Sequence, residues 1–169
     1  MKPDFERLAA DHSRELYVYL WRLLGDAHDA EDCLQDAFLR AYKAYTRLDE
    51  QANVRAWLYK IATNVARTHL KKGGRVSSRI SDLDPLRVGQ NMNLDGRLVA
   101  AEQLQHVHRA VRKLPAKQRA ALLMRKYQEL SYSQIANALD MSEASARANV
   151  YQALKKLRKQ FADYVQEKP

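Results

Sequence analysis

The residues best equipped for chemistry in this chain are hydrogen-bond donors and cations, not nucleophiles or paired acids. In SYSQIANALDMSEASARANVYQALKKLRK, Ser131 and Gln134 stand three apart, the spacing of a capping box that opens a short helix. Ile135, Ala136 and Leu139 then fall on its inner face. Asp140 is of a type that tolerates a left-handed turn, and Ser142 can cap a second helix from about Glu143 to Phe161. That helix carries Ser145, Arg147, Asn149, Gln152, Lys155, Lys156, Arg158 and Lys159. Amides and guanidinium groups at helical spacing can read base edges in a major groove while lysines meet phosphates, so the pattern is that of a DNA-binding helix-turn-helix. Its bland alternative is a helical hairpin with a solvated basic face.

A second constellation lies in RAWLYKIATNVARTHLKK, where Trp57 and Tyr59 can pack or stack and Asn64 can donate to base edges. Taken alone it is weak, because Trp57 also lies on the apolar stripe of its helix and Lys71 and Lys72 suit any helix C-terminus. A third is Asp32, Gln35, Asp36, Leu39, Arg40 and Lys43, one side of the preceding helix, with a leucine among acids and amides where water is expected. A protein-binding surface is one explanation. His106 and His108 are two apart and face different ways, and His12, His28 and His69 have no ligand-spaced partners. With no Gly-rich phosphate loop, nucleophile motif or converging carboxylate pair, neither enzyme nor metal site is expected, and no cofactor.

The elements that must position these groups are helical. Only 5 Gly and 4 Pro interrupt 169 residues, and alternating β-branched runs are few. Leu8, His12, Leu16, Tyr19, Leu20, Leu23 and Leu24 mark a first helix that Gly25 ends. Ala30, Cys33, Leu34, Ala37, Phe38, Ala41, Tyr42 and Tyr45 give the second a wide apolar face. Val54, Trp57, Leu58, Ile61, Ala62, Val65 and Leu70 mark a third, and three helices can close a small bundle. Residues 73–96 gather glycines with Ser, Asp and Asn and show no period, as a linker does. From Arg97 the period returns through Leu98, Ala101, Leu104, Val107 and Val111, and Pro115 sits where a first helical position is expected. The expected fold is all-α: a three-to-four-helix bundle over 5–72, a flexible linker over 73–100, and a four-helix domain with the helix-turn-helix over 101–165.

Charge narrows the partners. There are 29 Lys and Arg against 20 Asp and Glu, a formal net charge of +9, which favours polyanions. The stretch 53–72 holds Arg55, Lys60, Arg67, Lys71 and Lys72 without an acid, so the acids of the first domain crowd into the helix before it. The start, MKPDFERLAADHSRE, lacks the pattern of a secretion signal, and no apolar run approaches membrane-spanning length, so a cytoplasmic protein without direct membrane insertion is expected. The single Cys33, on an apolar stripe, is expected to fill the core.

From DAEDCLQDAFLRAY through WLYKIATNVARTHL to LPAKQRAALLMRKYQELSYSQIANALDMS, the chain resembles the sigma-70 superfamily in its extracytoplasmic-function (ECF) class. The likeness covers nearly the whole chain, in order. It implies a sigma region 2 over 5–72, a region 4 over 101–165, and a promoter-recognition subunit that works on core RNA polymerase. By that resemblance Asp29, Asp32, Gln35, Asp36, Leu39 and Arg40 match the part that docks on polymerase. Asn53, Trp57, Lys60, Asn64 and Arg67 match the part that melts and reads the minus-ten element. Ser145, Arg147, Ala148, Asn149, Tyr151, Gln152, Lys155 and Lys156 match the minus-thirty-five reader. Implied partners are core RNA polymerase, promoter DNA and an anti-sigma factor. The sequence departs from the family where Asp140 and Ala144 replace frequent glycines, so the promoter sequence is not transferable. The rival expectation is a helix-turn-helix regulator that needs no polymerase.

Overall fold

The computed structural model describes the backbone of residues 3–73 and 94–167, with side chains over 3–73 and 102–163. Seven helices lie within these residues: α1 Phe5–Leu24, α2 Ala27–Tyr45, α3 Val54–Lys71, α4 Leu94–Arg112, α5 Ala116–Lys126, α6 Tyr132–Leu139 and α7 Glu143–Glu167. Gly25 ends α1 at φ 76°, returning its N–H to the Trp21 carbonyl at 2.7 Å. The positive φ favours glycine there, and an added Cβ would also have to displace the flexible Arg112 guanidinium of α4, 2.9 Å away. Asp26 and Asn53 cap α2 and α3 by accepting the Asp29 and Ala56 N–H groups, each at 2.9 Å.

The first three helices pack on one another because their buried faces are complementary in size. Small residues of α2, Ala30, Cys33, Ala37 and Ala41, let Leu16, Leu20, Leu58 and Val65 approach closely. Burial pushes the Cys33 thiol up to about 11, with the negative charges of Asp29, Asp36 and Asp32 adding to it, in keeping with a core role. The second domain closes around Leu114, Leu122, Leu123, Met124, Leu130 and Ile135, with Ala146, Val150, Ala153 and Leu157 as the inner stripe of α7. The two domains do not stand apart. Their buried residues form one continuous cluster from Leu8 to Leu157, with α1 against α4 and α5, and α3 against α6.

A polar network runs through the first domain. Tyr19, fully buried, donates to Thr63 Oγ1 at 2.9 Å, and Thr63 donates to the Tyr59 carbonyl at 2.6 Å. Tyr59 donates to Glu15 at 3.2 Å, and Arg55 grips the same carboxylate at 2.7 and 3.0 Å. Burial alone would push the Glu15 carboxyl up, but hydrogen bonds and charge from His12 and Arg55 together outweigh it and hold the carboxyl at about 2.

Several sequence expectations shift. Tyr42 belongs to solvent, 64% exposed, and Leu70 is 38% exposed, so the apolar faces of α2 and α3 are narrower than their periodicity implied. Tyr59 is wholly buried and cannot stack on a base. Pro115 takes the N-cap position at ψ 145°, and the helix begins at Ala116, one residue later than expected. The expected linker over 73–100 falls largely outside the described residues. Its last part is already helix, since α4 begins at Leu94, before the expected Ala101 boundary.

Because the folded Glu15 carboxyl titrates below its ordinary value of 4.5, the stability it contributes is complete above that value and is lost as pH falls toward about 2. Urea denaturation at stepped pH is expected to show that loss in the native chain, and Glu15→Gln is expected to flatten it while lowering stability at neutral pH.

Candidate nucleic-acid interface

The helix-turn-helix is built by local hydrogen bonds that the sequence dictates. Ser131 Oγ accepts from the Gln134 N–H at 3.1 Å, and Gln134 Oε1 accepts from the Ser131 N–H at 2.9 Å, which completes the capping box. Asp140 ends α6 in the left-handed region at φ 51° and ψ 52°. Ser142 then caps α7 by accepting the Ser145 N–H at 3.1 Å. Ala146 and Val150 of α7 are buried, so the opposite side of the helix turns outward.

On that outer side Ser145, Arg147, Ala148, Tyr151, Gln152, Lys155 and Lys156 are all exposed. Tyr151 presents a large ring to solvent at 59% exposure, an apolar surface beside cations. Arg147 is held in place: its guanidinium lies 4.5 Å from the Tyr132 ring centroid and 3.4 Å from Glu143. Asn149 departs from the group. Its amide donates to the Ser145 carbonyl at 2.8 Å and lines a groove with Arg67 and Leu139, toward the first domain.

The α3 candidates divide likewise. Asn53 spends its side-chain oxygen on the α3 cap, and Trp57 is half-buried against Tyr45 at 6.3 Å. Asn53, Trp57 and Lys60 line a cavity of about 760 Å³ whose opposite wall is Asn137, Asp140 and Met141. Lys60 Nζ meets Asp140 Oδ1 across it at 2.7 Å. Asn64 and Arg67 are exposed further along the helix.

On α2, Asp32, Gln35, Leu39 and Arg40 are exposed, Leu39 at 54%, and Asp36 pairs with Arg40 at 3.0 Å. Asp29 is separate from this surface: it is 7% exposed and faces His69 of α3 at 3.1 Å. Sequence reasoning missed Glu15, Arg55, Arg22, Tyr127 and Asp140 as paired groups, because their partners lie far along the chain.

An acidic, leucine-bearing helix beside a basic one, followed by a capped helix-turn-helix, is matched by two family models. Sigma-70 region 2 matches residues 8–76, and Sigma-70, region 4 matches residues 104–157. The chain belongs to the sigma-70 family, in its ECF class. It is 28% identical to the ECF RNA polymerase sigma factor SigW of Bacillus subtilis, over 88% of this chain and 84% of that one. It is 26% identical to the RNA polymerase sigma-H factor of Pseudomonas aeruginosa, over 98% of this chain and 90% of that one. Among solved structures, the fold is similar to that of the sigma factor RpoE of Bartonella quintana, crystallised with the anti-sigma factor NepR. There the TM-score is 0.74 at 21% identity, covering 94% of this chain and 97% of that one. CnrH, solved with the cytosolic domain of CnrY, gives 0.71 at 22% identity, covering 94% and 88%. The function of this sigma factor is accordingly promoter-specific transcription initiation. Among the described residues no helix is long and apolar enough to cross a membrane.

The caps give a direct check on how the sigma factor seats its reading helix. Ser131→Ala and Ser142→Ala are each expected to lower unfolding free energy by about 1 kcal/mol. Chemical denaturation of the single variants measures this, and a change within error at Ser142 would mean that its bond to Ser145 contributes nothing.

Proposed function

We propose that the ECF sigma factor acts by binding energy alone, holding two DNA-reading surfaces on core RNA polymerase without covalent chemistry. The observation that carries this reading is the coexistence, in one fold, of a polar α2 face bearing an exposed leucine and an outward row of donors and cations on α7. Asp32, Gln35, Asp36, Leu39 and Arg40 form the surface for polymerase, with Asp29 acting behind it through His69. Asn53, Trp57, Lys60, Asn64 and Arg67 serve the minus-ten element. Ser145, Arg147, Ala148, Tyr151 and Gln152 meet bases of the minus-thirty-five element, Lys155 and Lys156 meet phosphates, and Asn149 orients the N-terminal turn of α7 from its inner side.

Held by polymerase at a fixed separation, two weak readers gain effective concentration for a promoter that carries both elements. The solved relatives complexed with anti-sigma factors support a partner of that kind here, and the lack of a spanning helix among the described residues is consistent with action in the cytoplasm.

The deciding experiment mixes purified chain, sigma-free core polymerase and a promoter library, and scores run-off transcripts. Transcripts are expected only from the full mixture; tight duplex binding without polymerase and without transcripts would overturn the reading. Leu39→Asp is expected to weaken core polymerase binding by about tenfold or more, as loss of a buried apolar anchor does. Lys155→Ala is expected to lower the slope of log affinity against log salt by about 1, uniformly across sequences. Arg147→Ala is expected to cost about 1–3 kcal/mol and relax preference at one position.

A further inference from the structure

We propose that Tyr132 is a positioning residue for promoter recognition, its ring holding the Arg147 guanidinium in the orientation in which α7 offers it to a base. This rests on the assignment of α7 to the minus-thirty-five element. Ser131 is the N-cap of α6, so Tyr132 is its first helical residue, and the capping box with Gln134 fixes the backbone from which the ring projects. The side chain is half-buried and packs against the apolar cluster. The Arg125 guanidinium of α5 lies over the ring, 4.6 Å from its centroid, and is itself tied to the Leu130 carbonyl at 3.0 Å. Arg147 of α7 lies over the same ring at 4.5 Å. Three helices thus meet at one aromatic side chain.

Of the two groups that hold Arg147, the ring is the one suited to a guanidinium that must read a base. Glu143 reaches it at 3.4 Å, but the two side chains are 53% and 58% exposed. So open a pair is weak and screened by salt, and it brings a negative charge toward the face that phosphates approach. It also occupies an N–H donor. An aromatic face carries no net charge and offers no lone-pair acceptor, so the planar fork keeps its donors for a guanine edge. Freezing the rotamers of a long arginine chain opposes binding, and a ring that already restricts them lowers that cost. The gain appears only where the fork meets its base. Tyr132 therefore acts on discrimination at one position rather than on general attraction to DNA.

The test uses the full-length chain, alone and with core polymerase on a promoter recovered from the library. In the free chain the ring is expected to shift the Arg147 side-chain protons upfield, and NMR is expected to lose that shift in Tyr132→Leu and keep it in Tyr132→Phe. With polymerase, Tyr132→Leu is expected to weaken binding to the matched promoter about two- to fivefold, the size of an exposed cation–π contact. A promoter changed at the base pair Arg147 reads is expected to be affected much less. Tyr132→Phe, which keeps the face and loses the hydroxyl, is expected to restore affinity and discrimination. In an Arg147→Ala background Tyr132→Leu is expected to add nothing, as befits action through that residue. Equal losses on matched and changed promoters, or an undiminished loss in the Arg147→Ala background, would mean a merely structural ring and overturn the proposal. Discrimination lost in Arg147→Ala but kept in Tyr132→Leu would overturn the positioning role alone. Discrimination intact in Arg147→Ala would overturn the base-reading assignment and the positioning role with it. Tyr132→Met stands in if the leucine variant melts.

Discussion

The arrangement depends on one guanidinium. Arg55, the second residue of α3, grips Glu15 of α1 in a two-pronged ion pair and reaches the backbone carbonyl of Gln128 in the second domain. An arginine is suited to this because its planar fork serves a carboxylate and a carbonyl at once. Through Glu15 it also fixes Tyr59, and through Tyr59 and Thr63 the fully buried Tyr19. This chain of bonds and the buried face of Ala56, Leu58, Ala62, Val65 and Ala66 fix the same rotation of α3 about its axis. A charge held inside a small bundle is tolerable only when paired and hydrogen-bonded, and here each oxygen of the carboxylate has a partner.

Function is divided among helices according to how each is packed. α2 buries mostly alanines and a cysteine, which leaves its longer side chains for a partner. α3 is buried on several sides, so only a strip from Asn53 to Arg67 is available to a ligand. α7 touches the body along one stripe and gives the rest of its first four turns to solvent, the geometry a groove-reading helix needs. The turn before it is pinned at both ends, by the Asp140 backbone and by the Ser142 cap, so the outward face of α7 is set by the fold itself.

Much of this was legible in the residues. The capping box at Ser131 and Gln134, the left-handed Asp140 and the Ser142 cap are local chemistry, decided within a few residues, and sequence spacing suffices for them. The stop at Gly25 and the exposed Leu39 were legible for the same reason. Tyr42 and Leu70 were misplaced because helical periodicity names a face without saying how far a neighbouring helix covers it. The packing of α3 on α6 was illegible in principle from pattern alone. Arg55 and Gln128, like Lys60 and Asp140, are far apart in the chain, and nothing in a basic run says which acid or carbonyl it will meet. Asn53 and Asn149 show a further limit: an amide suited to a base serves its own backbone equally well.

Two kinds of contact join the domains, and both weaken on cooling, for different physical reasons. The shared apolar cluster that crosses from α1 to α4 and α5 draws its strength from water release, which fades on cooling and carries a heat-capacity increment when surface is exposed. The charged ties, the Lys60–Asp140 pair and the Arg55 hydrogen bond to the Gln128 carbonyl, lose less to desolvation as temperature rises. The seam between the domains therefore has a temperature dependence of its own. Cooling therefore weakens the seam through both kinds of contact at once, and the fit of one half of the molecule against the other becomes a thermal variable.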